Sequence, residues 1–246
     1  MKERLDKLLV DRELVESRPR AAALIMAGQV FVDGQRIDKA GTKVSNTCMI
    51  EVRGDKNPYV SRGGLKLQAA IEGFAYDCEG KVVIDVGAST GGFTDCVLQH
   101  GAQKVYAVDV GYGQLAWRLR TDARVVNIER TNIRHMPADT IDALCDLAVI
   151  DCSFISLSKV LPNTCLFLKP TADVLALIKP QFEVGPSNIA KGGVVRDQDA
   201  RRSAIDAVIA EARTLGFDEV NGMDCPVHGP AGNIEYLAWF RRVERE

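Results

Sequence analysis

The spacing of apolar residues along the chain changes character twice. Leu5, Leu8 and Leu9 stand at i, i+3 and i+4 and predict an amphipathic helix over residues 3–10. Ser17 is placed to cap a second helix, with Pro19 tolerated in its first turn, the apolar run 21–27 as its body and Gly28 as its stop. The period then shortens. Val30-Phe31-Val32, the turn dipeptide Asp33-Gly34 and a return over 35–37 read as a hairpin, followed by a further strand near 47–52. The polar stretch Gly54-Asp55-Lys56-Asn57-Pro58 reads as a linker. A helix then starts at Ser61 or Gly64 and runs over 65–74, burying Leu67, Ala70, Ile71 and Phe74, with Lys66 at the edge of that stripe.

Beyond residue 82, short apolar runs alternate with helical stretches. Strands are expected at 82–85, 105–109, 125–129, 147–151, 174–179, 217–223 and 235–240, with a helix over 201–215 before the last two. Continuous apolar strands between helices point to an α/β fold whose Rossmann-like sheet is covered on both faces, preceded by a small α+β module. The expected boundaries are 1–53 for the module, 54–60 for the linker and 61–246 for the sheet domain.

Composition adds limits. The 246 residues are 46% hydrophobic and 26% charged, which suits a globular chain, and no apolar run approaches the ~18–20 residues of a membrane span. The charged start, MKERLDKLLVDRE, lacks the apolar core of a signal peptide, so a cytoplasmic protein with no membrane association is expected. Seven scattered cysteines without a CxxC pair read as reduced thiols, and three histidines are few for a metal site. The net charge of −2 does not advertise a nucleic-acid binder. Residues 1–60 carry +2 and the remainder −4, so any RNA affinity must come from where the arginines stand. Aromatics make up 6% of the chain, too few for stacking to be the main source of such affinity; Trp117 and Trp239 are expected in the core, and His135 and His228 in exposed loops.

The chemistry gathers at strand ends. Ligands of open α/β sheets lie beyond the carboxyl ends of the strands, and Asp85, Asp109, Asp151 and Lys179 each stand at such an end. Glu235 opens the last strand and reaches the same rim only if that strand is antiparallel. The segment 82–95, VVIDVGASTGGFTD, has the form of a strand, a tight glycine turn and a helix start, where backbone N–H groups can meet a ligand closely. Its spacing is Gly87-x-x-x-Gly91-Gly92 with Ser at 89, so the dinucleotide fingerprint GxGxxG is not met. Asp85, just before the turn, would repel a pyrophosphate but can bind the amino group of a methionine moiety. Asp109 could bind both ribose hydroxyls of either kind of nucleoside. S-adenosylmethionine is therefore favoured over NAD. The glycine-rich segment 185–193 reads equally as a substrate loop or as an ordinary connection.

Two resemblances extend these readings. Arg4-Leu5-Asp6, Ser17-Arg18 with Ala22, Leu24 and Ile25, and the run from Gly28 to Gly34 resemble the small S-four RNA-binding domain. On that reading Arg4, Arg18 and Arg20 share one surface and grip phosphates. The segments YVSRGGLKL, DVGASTGGFTD, AVDVGYGQLAW, ERTNIR, DCSFISL, IKPQFEVG, KGGVVRD and GPAGNIEY resemble the TlyA family, also known as haemolysin A, whose catalytic part is similar to the FtsJ RNA ribose methyltransferases. This implies an S-adenosylmethionine-dependent methyltransferase that modifies the 2′-hydroxyl of a cytidine in ribosomal RNA, with the ribosomal subunit as partner and neither a metal nor an obligate protein partner. The short N-terminus and the stop at Glu246 suggest the form associated with large-subunit rRNA.

The FtsJ pattern Lys-Asp-Lys-Glu matches Lys66, Asp151, Lys179 and Glu235. The positions matching cofactor binding are Asp85, Gly87, Ala88, Ser89, Gly91, Gly92 and Phe93, then Asp109 for the ribose and Asn132 near the adenine, where the family often has Asp. A ribose hydroxyl is a poor nucleophile until its proton leaves, and a lysine can take it only when neutral. Lys179 is the expected base, Lys66 orients the hydroxyl, and Asp151 and Glu235 fix the two ammonium groups. Arg62, beside Lys66, is a candidate phosphate contact. Other classes remain open: a catalytically silent RNA-binding or ribosome-assembly factor, and, against the absence of any lytic feature, a membrane-lytic haemolysin.

Overall fold

The computed structural model describes residues 2–15, 17–53, 57–185 and 188–243. The chain forms two compact units, 1–56 and 57–246.

The first unit contains β1 (Lys2–Arg4), α1 (Leu5–Asp11), α2 (Arg18–Met26), β2 (Val30–Val32), β3 (Gln35–Ile37), β4 (Lys43–Ser45) and β5 (Ile50–Val52). Strands β3, β2 and β5 form one antiparallel sheet, and β1 pairs with β4 in another. Leu5, Leu8 and Leu9 of α1 pack with Ala21 and Ile25 of α2 and with Val30, Val32 and Val44. The Ser17 side chain caps α2, and Asp33 and Gly34 both take positive φ, as a two-residue hairpin turn requires. Two expectations shift. Residues 3 and 4 belong to a strand because the first N–H groups of α1 are satisfied by the 40–42 loop: Leu5 N donates to Thr42 O at 2.8 Å and Asp6 N to Ala40 O at 3.2 Å. Residues 47–49 are a turn, held by Cys48 N on Ser45 O and Met49 N on Asp33 Oδ1, so the strand starts only at Ile50.

The second unit holds strands β6 (Val82–Val86), β7 (Lys104–Val108), β8 (Val125–Ile128), β9 (Cys145–Ile150), β10 (Leu168–Ile178), β11 (Asp218–Asp224) and β12 (Tyr236–Arg242). Its helices are α3 (Arg62–Phe74), α4 (Gly92–Gln99), α5 (Trp117–Arg120), α6 (Leu161–Thr164), α7 (Pro180–Glu183) and α8 (Gln198–Thr214). Among the described residues the sheet has seven strands in the order β11-β12-β10-β9-β6-β7-β8. Strands β10, β9, β6, β7 and β8 are mutually parallel, and β12 is antiparallel to both of its neighbours. That reversal brings Glu235 to the same rim as Lys179, since Ile178 pairs with Tyr236.

Side chains of the central strands alternate between two cores. Ile84, Val86, Ala148, Ile150, Val174, Ala176 and Ile178 enter one, which also takes residues of α8. Val83, Leu147, Val149, Leu175, Leu177 and Leu237 enter the other, which takes α3 and α4. Of the residues expected as a linker, 54–56 lie outside the described residues, whereas Tyr59 is buried and Val60 N donates to Asp95 Oδ2 of α4 at 2.8 Å. Trp239 fits its expected core place, edge-on to Tyr76 and hydrogen-bonded to Asp173. Trp117 does not. It is 77% exposed, because α5 is a single short turn whose only buried residue is Leu119.

Candidate active site

The turn after β6 sets the floor of the site. Gly87 has φ +85°, and a Cβ there would come within 3.0 Å of the Asp151 carbonyl oxygen, so only glycine lets the two strand ends sit this close. Ala88 and Phe93 are buried, and both line the cavity with Gly87 and Ser89. Ser89, also at positive φ, donates its N–H to Asp109 Oδ2 at 2.8 Å. Gly91 faces away from the cavity, against Leu115 and Leu119. Gly92 faces the start of α3, where an added Cβ would meet Ser61 Oγ at 2.2 Å and Gly64 N at 2.8 Å. This close approach of α3 and α4 carries Lys66 to the turn.

Asp85 is fully buried, and its Oδ1 has no hydrogen-bond partner among the described residues. Ile84 and Val86 face one core, so strand alternation turns Asp85 to the opposite side, under α4. There its Oδ2 accepts from Thr94 N at 2.8 Å and Thr94 Oγ1 at 2.6 Å, supplying the cap that Gly91 has no side chain to give. Burial pushes this carboxyl up to about 7, against the pull of the Thr94 hydrogen bonds.

The four tetrad positions meet. Lys66 Nζ lies 2.5 Å from Glu235 Oε2, and both residues are buried. Lys179 Nζ lies 2.5 Å from Asp151 Oδ1, a close ion contact without hydrogen-bond alignment; its aligned bond goes to Ser153 Oγ at 2.8 Å. Sequence spacing placed Lys66 at the margin of a helical stripe, yet it is only 8% exposed, because Glu235 is available to receive its charge. The two pairs line one cavity of about 570 Å³, which also takes in Arg62, Gly92 and Asn233. A second cavity of about 470 Å³ is walled by Val86, Val108, Ile133, Ile155 and Val160, with Asp109 and Asn132 as polar groups. Gly87, Ser89, Asp151, Ser153 and Phe154 line both. Asp109 accepts from Ser89 N and from Gly111 N at 2.6 Å, so its orientation is fixed by backbone. Asn132 Oδ1 accepts from Arg134 N at 3.1 Å. Cys152 also lines the second cavity, but burial pushes its thiol up to about 12, so it is held as a neutral packing group.

Of the arginines expected to meet RNA, Arg62 is exposed at the rim of the first cavity and donates to His228 O at 3.2 Å. Arg4 and Arg18, in the first unit, are drawn together by buried Asp6. Arg4 Nε and Nη2 each donate to its carboxylate at 2.9 Å and Arg18 Nη2 at 3.0 Å, while both side chains stay about half exposed. Arg20 is exposed in the same helix as Arg18. His135 and His228 are exposed.

Polar residues in or beside the cavities to which sequence reading assigned no part include Ser153, Glu183 and Asn233. The first two sit in DCSFISL and IKPQFEVG, between or beside recognised positions. Asn233 is 3% exposed and joins two loops of the first cavity's wall, accepting from Val195 N at 2.9 Å and donating to Gly193 O at 2.8 Å. Residues 186 and 187 of the glycine-rich segment lie outside the described residues.

An open, mostly parallel sheet with a glycine turn after its first strand and paired cavities beyond its carboxyl ends defines a ligand-binding α/β enzyme of the doubly wound class. The FtsJ-like methyltransferase model matches residues 59–242 and the S4 domain model residues 3–47, and the chain belongs to the FtsJ-like methyltransferase family. It is 47% identical to the 16S/23S rRNA (cytidine-2′-O)-methyltransferase TlyA of Mycobacterium tuberculosis, over 97% of this chain and 89% of that one. It is 32% identical to the 23S rRNA (cytidine-2′-O)-methyltransferase TlyA of Campylobacter jejuni, over 94% and 96%. A solved Streptococcus thermophilus structure carrying a hemolysin name superposes with a TM-score of 0.78 at 43% identity, covering 99% of this chain and 89% of that one. Among the described residues no helix is long and apolar enough to cross a membrane.

Proposed function

We propose that this chain transfers a methyl group from S-adenosylmethionine to the 2′-hydroxyl of a cytidine in ribosomal RNA, in the cytoplasm. The observation that carries this reading is the pair of lysine–carboxylate contacts lining a cavity that shares Gly87, Ser89, Asp151, Ser153 and Phe154 with a second one. The second cavity suits an adenosine: apolar walls for the base, Asn132 for its polar edge and the backbone-held Asp109 for the ribose hydroxyls. S-adenosylmethionine, when bound, supplies a methyl group on an electron-poor sulfonium carbon.

Lys179, reacting as the neutral amine, takes the proton of the ribose hydroxyl and becomes the ammonium as that oxygen attacks the methyl carbon. Lys66, held by Glu235, orients the same oxygen from the α3 side. Asp151 and Ser153 keep Lys179 Nζ turned toward the cavity. Glycines 87 and 92 let the cofactor floor and the lysine helix approach, so alignment supplies part of the barrier reduction, of the order of several kcal/mol. A nucleotide must leave its helix to enter the cavity, at a cost of a few kcal/mol. Arg62 contacts RNA at the rim, and the N-terminal unit, through Arg4, Arg18 and Arg20, docks on folded RNA.

The two named relatives share 23S rRNA in their activities, which favours the large subunit as substrate. The test is incubation of separated ribosomal subunits from a strain lacking the gene with tritiated S-adenosylmethionine, followed by mapping of the label. The expected result is one labelled ribose in the large subunit. Label on a base overturns the reaction, and label only in the small subunit overturns the substrate. A tetrad variant that retained every cellular effect would favour a silent assembly factor.

A further inference from the structure

Ser153 and Lys179 leave neighbouring strands, β9 and β10, and the loop that follows β9 has no regular structure until residue 157. Three contacts cross from this loop to the turn after β10. The first is the hydrogen bond from Lys179 Nζ to Ser153 Oγ, 2.8 Å. The second is the tilted ring contact between Phe154 and Phe182, with centroids 5.1 Å apart. The third is made by Glu183, whose Oε2 accepts from Ser156 Oγ at 2.6 Å while Oε1 accepts from Leu157 N at 2.9 Å.

Glu183 is an expensive way to fill this space. It is half-buried, burial raises its carboxyl above the ordinary range, and the groups that offset this are a hydroxyl and an amide, not a cation. A side chain needed only for packing would be apolar there, since an unpaired carboxylate loses hydration without a counter-charge. What the carboxylate provides is geometry, because its two oxygens fix a hydroxyl and an N–H at once. We propose that Glu183 is a positioning residue: it clamps the 153–157 loop to the 180–183 turn so that Ser153 meets Lys179 in the orientation proton transfer needs. This rests on the assignment of Lys179 as the base.

The clamp is tested in the full chain with Glu183→Ala, Glu183→Gln and Ser156→Ala. Glutamine can still accept from Leu157 N and donate to Ser156 Oγ, whose own proton can turn to Ser158 Oγ, 2.8 Å away. Glu183→Ala is expected to lower kcat about 10- to 100-fold, the scale of a reactive group misplaced by about 1 Å. KM for the RNA stays within about twofold, and the Kd for S-adenosylmethionine rises by less than kcat falls, since Ile155 of the clamped loop also walls the second cavity. Amide hydrogen exchange rises in the peptide spanning 152–158 and not in β6 or α4. Glu183→Gln restores kcat and exchange protection, and Ser156→Ala falls between. Unchanged kcat and exchange in Glu183→Ala overturn the proposal. So does a loss of kcat accompanied by an equal loss of cofactor affinity and a general rise in exchange, which would mark a fold-supporting residue. If the unsubstituted chain transfers no methyl group to RNA, the functional reading falls, while the exchange measurements still decide whether the clamp exists.

Discussion

Lys66 Nζ and Glu235 Oε2 lie 2.5 Å apart across 169 residues of sequence, joining the helix before the sheet to the start of its last strand. Both side chains are almost wholly buried, so the pair has given up most of its hydration. Removing one partner of such a pair strands a charge and costs about 3–5 kcal/mol, whereas replacing both with apolar groups of similar size is often neutral. Glu235→Leu is expected to lose stability on that scale in urea denaturation. The double variant Lys66→Met/Glu235→Leu should recover most of it. Neither should methylate RNA. Activity in the double variant would show that the pair serves the fold alone.

Lys179→Ala separates chemistry from cofactor binding. Lys179 lines the first cavity, whereas Asp109 and Asn132 line the second. Single-turnover methylation is expected to fall about 10²- to 10⁴-fold, the range for loss of a positioned base. The Kd for S-adenosylmethionine by calorimetry should change less than about threefold. Near-normal turnover would remove Lys179 from its assigned part.

The sheet was legible because the buried strands are written as short apolar runs, and residues ending those runs fall at the ligand rim for topological reasons. Asp109, Asp151 and Lys179 needed only that rule. Glu235 needed the strand direction as well, which sequence leaves open. Lys66 was misjudged by burial because its neighbour in space is distant in sequence. Asp85 stands at a strand end like Asp109 and Asp151, while the twofold alternation legible in the same residues turns it under α4, where Thr94 takes its Oδ2. Trp117 shows the opposite failure to Lys66: an aromatic in an apolar-looking run, left exposed because the helix carrying it is one turn long. Ser153 and Glu183 carried no spacing signal, since a hydroxyl and a carboxylate 30 residues apart acquire their relation only when β9 and β10 pair.

Asp85 makes stability depend on pH in a readable direction. Its carboxyl is raised from 3.8 in the open chain to about 7 in the fold, so between those values the folded state holds a proton that the unfolded state has released. The stabilisation is complete below the lower value and is lost as pH rises through the upper one, at about 1.4 kcal/mol per pH unit across the interval. Asp85→Asn keeps an oxygen for Thr94 and cannot ionise. The melting temperature of the parent relative to this variant should therefore fall between pH 5 and pH 8. Carboxylates held low by their partners, such as Asp6 and Asp142, act in the other direction at acid pH, but equally in both proteins. A constant difference between parent and variant would contradict the raised value.

Gly92→Ala tests the approach of the lysine helix to the cofactor turn. The added methyl would stand 2.8 Å from Gly64 N, a backbone atom that moves only if α3 moves, as well as 2.2 Å from Ser61 Oγ. Overpacking of this kind costs about 1–3 kcal/mol. The expected outcome is a lower melting temperature together with a larger loss of kcat than of cofactor affinity, since Lys66 travels with α3 while Asp109 and Asn132 do not. An activity loss confined to cofactor affinity would place the effect in the turn instead.

The arginines of the first unit are tested through salt. Asp6 accepts from Arg4 and Arg18 together, and Arg4 first, then Arg18, holds its carboxyl well below the usual carboxylate range. The cluster thus presents two partly exposed guanidinium groups whose orientation is fixed and whose charge is half offset. If Arg18 meets one phosphate, Arg18→Gln should weaken binding to an rRNA fragment about equally for all sequences, and the slope of log K against log salt should drop by about 1. Cofactor Kd and single-turnover rate at saturating RNA should be unchanged, because the tetrad lies in the other unit. Asp6→Asn separates charge from orientation. It adds one unit of positive charge and so would tighten binding if charge alone mattered; because it also releases the bidentate hold on Arg4, affinity should rise no higher than that of the parent. A steep gain in affinity and salt slope for Asp6→Asn would mean that the arginines act as free charges and that Asp6 serves the packing of α1 against α2 alone.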